Sequence, residues 1–197
     1  MFIVIDGPDG SGKTTLAKRL TQQLCQEGVM AVYTSEPTRE SDAGKIIHQI
    51  LQSGETVNVY TFADLFVIDR KEHLANFIRP CLCANKWVIC DRYKYSALAY
   101  QQLQGVTTEY LIRKNCEFLI PDFIFILLPQ NEDVLMHRIT CRGRITELFE
   151  KQELLAAVIP YYRKIKDYFP EENIQYLDAE NSVESNLKQI LGAIKVK

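Results

Sequence analysis

Residues Gly7-Pro8-Asp9-Gly10-Ser11-Gly12-Lys13-Thr14 match the spacing G-x-x-x-x-G-K-[ST] in full. They follow the apolar run Phe2–Asp6 and precede the helix-forming stretch Thr15-Leu16-Ala17-Lys18-Arg19-Leu20, the strand–loop–helix setting that this spacing needs. The glycines let backbone N–H groups wrap a phosphate chain, and the helix that follows turns its positive end toward it. Lys13 is placed to reach the outer phosphates, and Thr14 to set its hydroxyl on a magnesium ion. Gly7, Pro8, Asp9, Gly10, Ser11, Gly12, Lys13, Thr14 and Thr15 are therefore read as a nucleoside triphosphate site rather than a structural turn.

Five short apolar runs read as buried strands: 2–6, 29–35, 87–91, 123–128 and 174–178. They show little polar alternation, as in a parallel sheet covered on both faces. Helix-length segments separate them at 12–27, 43–53, 62–85, 95–104 and 131–142, and two more follow at 154–168 and 183–196. Ser41 or Asp42 can start the second of these and Gly54 can end it. The order predicts an α/β fold, a three-layer, doubly wound, five-stranded parallel sheet. The length of 197 residues fits one domain spanning the whole chain.

A net charge of −2 does not mark a nucleic-acid binder, and no apolar run approaches the ~20 residues of a membrane span. The first strand begins almost at once, without a leader pattern, so a cytoplasmic protein is expected. The six cysteines, at 25, 81, 83, 90, 116 and 141, are irregularly spaced. They are expected to be reduced, partly buried thiols rather than metal ligands.

Ligands of such sheets bind at the carboxyl ends of the strands. Charge gathers there: the phosphate loop after the first strand, Glu36-Pro37-Thr38-Arg39 after the second, Asp91-Arg92-Tyr93 after the third. Asp91 can hold magnesium beside the loop or can cap the next helix. Arg92 can clamp an acceptor's phosphate and steady charge during transfer, or can pair at the surface with Glu36 or another acid. Phe66 and Arg70 are spaced i, i+4 on one helix face. They suit a flat base, stacked and hydrogen-bonded at its edge, but equally a core ring beside a solvated charge. The basic stretch from Arg138 through Arg142 to Arg144 is either a segment closing over the triphosphate or an ordinary cationic helix end.

Together these residues resemble the thymidylate kinases, nucleoside monophosphate kinases with a P-loop and a helical lid. The resemblance covers nearly the whole chain. It rests on Asp6 through Thr15, Glu36-Pro37, Phe66 with Arg70, and the more specific Asp91-Arg92-Tyr93, Ser96 and Ala99-Tyr100-Gln101; Pro121-Asp122 and Leu177-Asp178-Ala179 also fit. It implies transfer of the terminal phosphoryl group of ATP to thymidine monophosphate, with magnesium held by Thr14 and Asp91. It also implies a homodimer, small-molecule nucleotides as partners, and no nucleic acid or membrane. Phe66 would stack on thymine and Arg70 bond its edge. Ser96 and Gln101 would lie near the base, Tyr100 near the sugar, and Asp9 on the sugar 3′-hydroxyl. Glu36 and Pro37 would border the acceptor, and Arg92 and Arg39 would hold its phosphate. Residues 178–181 would border adenine, with Arg138 on the ATP side.

The loop carries no base between Asp9 and Lys13, so Arg142 and Arg144, in a lid of about residues 138–152, join Lys13 and Arg92 as catalytic candidates. The lid pattern of acid-Arg-aromatic-Glu has Leu148 at its arginine position, and Ser35 stands where many bacterial members have arginine. Other readings are a deoxynucleoside kinase or another monophosphate kinase, a GTP switch, and a homologue that binds without turnover. No N-K-x-D segment follows a strand, which removes the guanine reader that a switch needs.

Overall fold

The computed structural model describes residues 1–131, 133–140 and 152–195. One sheet holds β1 (Phe2–Asp6), β2 (Ala31–Ser35), β3 (Trp87–Asp91), β4 (Phe123–Leu128) and β5 (Ile174–Asp178), all parallel, in the order β2-β3-β1-β4-β5. All five expected strands are present. Only β2 is shorter than expected, because the Val29 N–H turns back to the Leu24 carbonyl at 2.9 Å to close the preceding helix.

The helices are α1 (Lys13–Gln26), α2 (Asp42–Ser53), α3 (Val59–His73), α4 (Arg79–Cys83), α5 (Lys94–Leu103), α6 (Thr108–Asn115), α7 (Asp133–Thr140), α8 (Gln152–Arg163), α9 (Ile165–Tyr168) and α10 (Val183–Lys195). The expected single helix over 62–85 starts earlier and is interrupted. Asn58 caps α3 by accepting from the Tyr60 and Thr61 N–H groups at 3.0 and 3.2 Å. A π-helical turn at Leu74–Ile78 then precedes Pro80, whose missing N–H makes regular α-helical bonding impossible there. The expected helix over 154–168 is likewise split, into α8 and α9. The short helix α6 was not expected from the sequence.

Strand residues alternate between two cores. Phe2, Val4, Val88, Cys90, Ile124 and Ile126 meet Ile47 and Leu51 of α2, Phe62 of α3, Leu98 of α5 and Tyr162 of α8. Ile3, Ile5, Ile89, Phe125 and Leu127 meet Leu16, Leu20 and Leu24 of α1 and Ile190 of α10. Both faces are apolar, which explains the lack of alternation in the sequence.

The register fixes the functional end. Ile5 and Ser35 both pair with Asp91, on either side of β3. The Arg92 N–H bonds the Ile5 carbonyl and the Glu36 N–H bonds the Asp91 carbonyl, each at 3.0 Å. Three strand ends therefore finish level. The chain runs from β1 to one side of the sheet and from β3 to the other, so their boundary is the topological switch where a ligand crevice is expected.

The cysteines differ in part from expectation. Cys25, Cys81, Cys83, Cys90 and Cys116 are free, but only Cys90 is buried, and Cys25, Cys83 and Cys116 are exposed. Cys141 lies outside the described residues. Among the described residues no helix is long and apolar enough to cross a membrane.

Candidate active site

The loop from Gly7 to Gly12 turns through three left-handed glycines, Gly7 (φ 142°), Gly10 (φ 81°) and Gly12 (φ 93°). Gly7 has a second reason to be glycine: a Cβ there would lie 2.5 Å from the Leu127 carbonyl oxygen of β4. Gly12 caps α1, so the first N–H groups of that helix face the loop. Lys13 is buried, with Nζ donating to the Pro8 carbonyl at 3.2 Å and lying 3.3 Å from Asp9 Oδ1. Burial and the neighbouring Arg92 lower its pKa, against the pull of Asp9, Asp91 and Asp6. A cation held at such cost suits a tri-anionic ligand. The Ser11 hydroxyl is buried and without a partner among the described residues.

Thr14 Oγ1 donates a short hydrogen bond to Asp91 Oδ2, while Asp91 Oδ1 is buried and unpartnered among the described residues. A hydroxyl and a carboxylate with an orphaned oxygen form a hard-oxygen donor set that fits magnesium. Asp91 does not cap the next helix. That task falls to Asp6, whose Oδ2 accepts from the Tyr93 and Ser96 N–H groups at 3.0 and 3.1 Å. Its Oδ1 accepts from the Gly7 N–H at 2.7 Å, the Ser96 hydroxyl at 2.5 Å and the Tyr162 hydroxyl at 3.0 Å. One fully buried carboxylate thus joins β1, the phosphate loop, α5 and α8.

A cavity opens beside the loop, lined by Asp9, Glu36, Pro37, Phe66, Arg70, Arg92, Ser96, Tyr100 and Gln101 among others. It gathers every acceptor-side residue expected from the sequence except Arg39. Arg39 is exposed and lines a different cleft with Tyr33, Glu72 and Phe77. The cause is Asp69, buried on α3. It accepts from the Thr38 N–H at 2.9 Å and from the Thr38 and Ser41 hydroxyls, so Thr38 turns inward and Arg39 outward. Gly44 is required by the same knot, since a Cβ there would lie 2.2 Å from the Thr38 carbonyl oxygen.

Arg92 does not pair with Glu36. It forms a short ion pair with Asp9 and donates to Ser96 Oγ at 2.9 Å and the Gly7 carbonyl at 3.2 Å. Its backbone sits at φ 70°, a left-handed conformation that an arginine adopts only when its surroundings impose it. Burial raises the Asp9 pKa, but Arg92, Lys13 and the Tyr100 hydroxyl outweigh it and hold the carboxyl well below the usual range. Tyr100 brackets Asp9, donating to Oδ2 at 3.0 Å and accepting from the Asp9 N–H at 3.1 Å.

Arg70 is not a solvated charge. It is buried, donating from Nε to Glu36 at 2.8 Å and from Nη1 to Asn115 Oδ1 at 2.6 Å, and it packs over the Tyr93 ring. His73 continues the chain, with Nδ1 donating to Glu36 at 3.1 Å and Nε2 hydrogen-bonded to Thr34 Oγ1 at 2.6 Å. Phe66 lies one turn away, edge-on to Phe62. Gln101 Oε1 is buried and unpartnered among the described residues, as is Nδ1 of His48 in the same cavity.

On the outer side of the loop a second cleft runs past Gly10, Ser11, Gly12, Thr15, Arg138 and residues 179–183. Arg138 Nη1 donates to the Ala179 carbonyl at 2.7 Å and the Ser11 carbonyl at 3.4 Å, which places it over the loop. Arg142, Arg144 and Leu148 lie outside the described residues.

Sequence reasoning missed four participants. Asp6 could have been marked by the logic used for Asp91, an acid closing an apolar strand. Asn115, His48 and Tyr162 carry no local signal: each acts across a long sequence separation or through the state of a single ring nitrogen.

The model of the family described as "Thymidylate kinase" matches residues 5–190. The chain belongs to the thymidylate kinase family. A relative from Pyrococcus horikoshii named "Probable thymidylate kinase" is 39% identical over 98% of this chain and 95% of its own length. Relatives named "Thymidylate kinase" from Brachyspira hyodysenteriae and Leptospira borgpetersenii are 33% and 36% identical, covering 98% and 89% of this chain and 93% and 84% of their own. The all-parallel sheet with its phosphate loop is the fold of a thymidylate kinase, as the sequence led us to expect.

Proposed function

We propose the following roles in ATP-dependent phosphorylation of thymidine monophosphate to the diphosphate, the activity that membership of this family assigns to the chain. The observation that carries the assignment of roles is that Asp9 of the phosphate loop also lines the acceptor cavity, where Arg92 pairs with it. ATP lies along the outer cleft, with its phosphates on the N–H groups of residues 7–15 and its base near residues 179–181. Lys13 leaves its Pro8 and Asp9 contacts for the outer phosphates. Thr14 and Asp91 hold magnesium, which when bound supplies charge neutralisation to the phosphate oxygens.

Thymine lies between Phe66 and the opposite wall. Gln101 Oε1, an acceptor without a donor, takes the ring N3–H. Arg70, whose Nε and Nη1 are occupied, gives Nη2 to the C4 carbonyl. This pairing fits uracil-type rings and misfits cytosine, which has no N3–H. Asp9 takes the sugar 3′-hydroxyl and Arg92 the acceptor phosphate. A lid of about residues 138–152, with Arg142 and Arg144, completes the charge around the moving phosphoryl group. The whole chain acts as one domain. Exposed Ile46, Ile68 and Phe77 on α2, α3 and the π turn support a homodimer, and the free thiols support a reducing cytoplasm.

The test is a panel of thymidine, dTMP, dUMP and dCMP with ATP and magnesium. Turnover should be greatest with dTMP and negligible with thymidine, and greater turnover of thymidine would overturn the reading. In the same panel Arg70→Ala should raise KM for dTMP about 10- to 100-fold, since a charge-assisted base contact is worth about 1.5–3 kcal/mol. An unchanged KM would remove Arg70 from base reading.

A further inference from the structure

His48 lies on α2, three residues before Leu51, and both line the acceptor cavity. Its Nε2 is 3.2 Å from the Pro37 carbonyl oxygen, which can only accept. Nε2 therefore carries the proton, and in the neutral ring Nδ1 is left as an acceptor. That Nδ1 is buried and has no donor among the described residues. A buried acceptor left unpaired is costly, so a donor brought into the cavity by a ligand would be favoured there.

Thymine offers it nothing. Its single ring donor, N3–H, is taken by Gln101, and the sugar hydroxyl by Asp9 at the other end of the cavity. In the acceptor placement given above, the C4 edge next to N3 meets Arg70 and C5 comes next around the ring; His48, Leu51 and Pro37 line the same cavity and are the wall assigned to it. Thymine presents a methyl group there. Leu51 suits a methyl; His48 Nδ1 does not.

We propose that His48 is a specificity-determining residue that reads a hydrogen-bond donor on the C5 substituent of the acceptor, so that 5-hydroxymethyl-deoxyuridine monophosphate is a substrate. The inference rests on the acceptor placement given above. The hydroxymethyl O–H donates to Nδ1 while the ring keeps its contacts to Gln101 and Arg70, and phosphoryl transfer is otherwise the same reaction.

The experiment compares kcat/KM for 5-hydroxymethyl-deoxyuridine monophosphate and dTMP in the wild type, His48→Leu and His48→Asn, with calorimetric affinities for both. The wild type should use the hydroxymethyl substrate with kcat/KM within about threefold of dTMP or better. His48→Leu should lower the ratio of the two about 3- to 10-fold, the size of one neutral hydrogen bond. His48→Asn, which retains an acceptor close to Nδ1, should fall by less than His48→Leu. A ratio unaltered in both variants, or a wild type that rejects the hydroxymethyl substrate, overturns the inference while leaving dTMP phosphorylation in place. Failure to phosphorylate either monophosphate would instead overturn the proposed function.

Discussion

Arg92→Ala is expected to lower kcat by about two to four orders of magnitude, because Arg92 both bonds the phosphate loop, at Gly7 and Asp9, and lines the acceptor cavity. The charge developed during phosphoryl transfer spreads over the moving oxygens, and a guanidinium already held by Asp9, Ser96 and Gly7 needs little reorganisation to meet it. The backbone supplies a control. At φ 70° a side chain with a Cβ costs roughly 1–2 kcal/mol that glycine does not. Arg92→Gly should therefore be as inactive as Arg92→Ala yet more stable to heat. Acid sensitivity provides a second readout. Asp9 has its folded pKa depressed, so its contribution to stability is complete above about pH 4, the unfolded value, and is lost as pH falls through the folded one. Without Arg92 the folded value rises, and the acid unfolding limb should move to higher pH in both variants. Single-turnover rates within tenfold of wild type would remove Arg92 from the transfer step.

Asp6→Ala should be the most damaging single change to the fold of the site. It would leave the Gly7, Tyr93 and Ser96 N–H groups without their acceptor in a fully buried place. Losing a buried charged partner typically costs about 3–5 kcal/mol. In a chain of this length that corresponds to a drop in Tm of roughly 10 °C. Asp6→Asn should not rescue it, because both oxygens accept only from donors and an amide NH2 would face one set of them. The surviving folded fraction should bind both nucleotides weakly, since the loop and the start of α5 lose their common anchor. A Tm within about 2 °C of wild type by calorimetry would show that other contacts hold these groups.

The parts of the molecule legible in the sequence are those set by local pattern. Five apolar runs became five strands because most residues of the central β1, β3 and β4, whichever face they point to, meet a core. The phosphate loop was legible because glycines at fixed intervals have one use before a helix. The partners of the charged residues were not legible. Arg92 chose Asp9 over Glu36, and Arg70 chose Glu36, according to how Asp69 and Asp6 turn the intervening loops; no short-range spacing encodes that. The helix α6 escaped notice because its eight residues carry one fully buried apolar side chain, Leu111, among charged neighbours. Its contribution, Asn115 holding Arg70, appears only once α3 and α6 are packed together. Arg39 shows the converse: a cation in a promising place along the chain was turned away by a knot formed with a residue thirty positions later.

The level finish of β2, β3 and β1 has one more consequence. Neighbouring strands in a sheet are about 4.8 Å apart, and this spacing is set by backbone hydrogen bonds that no side chain controls. The loop proposed for the donor phosphates leaves β1, the arginine proposed for the acceptor phosphate leaves β3, and Glu36, which holds the proposed base reader Arg70, follows β2. The sheet is thus a ruler with three adjacent marks. It sets the lateral offset of the two nucleotides before either binds, and substitutions can change which base is read without changing how far the phosphoryl group must travel.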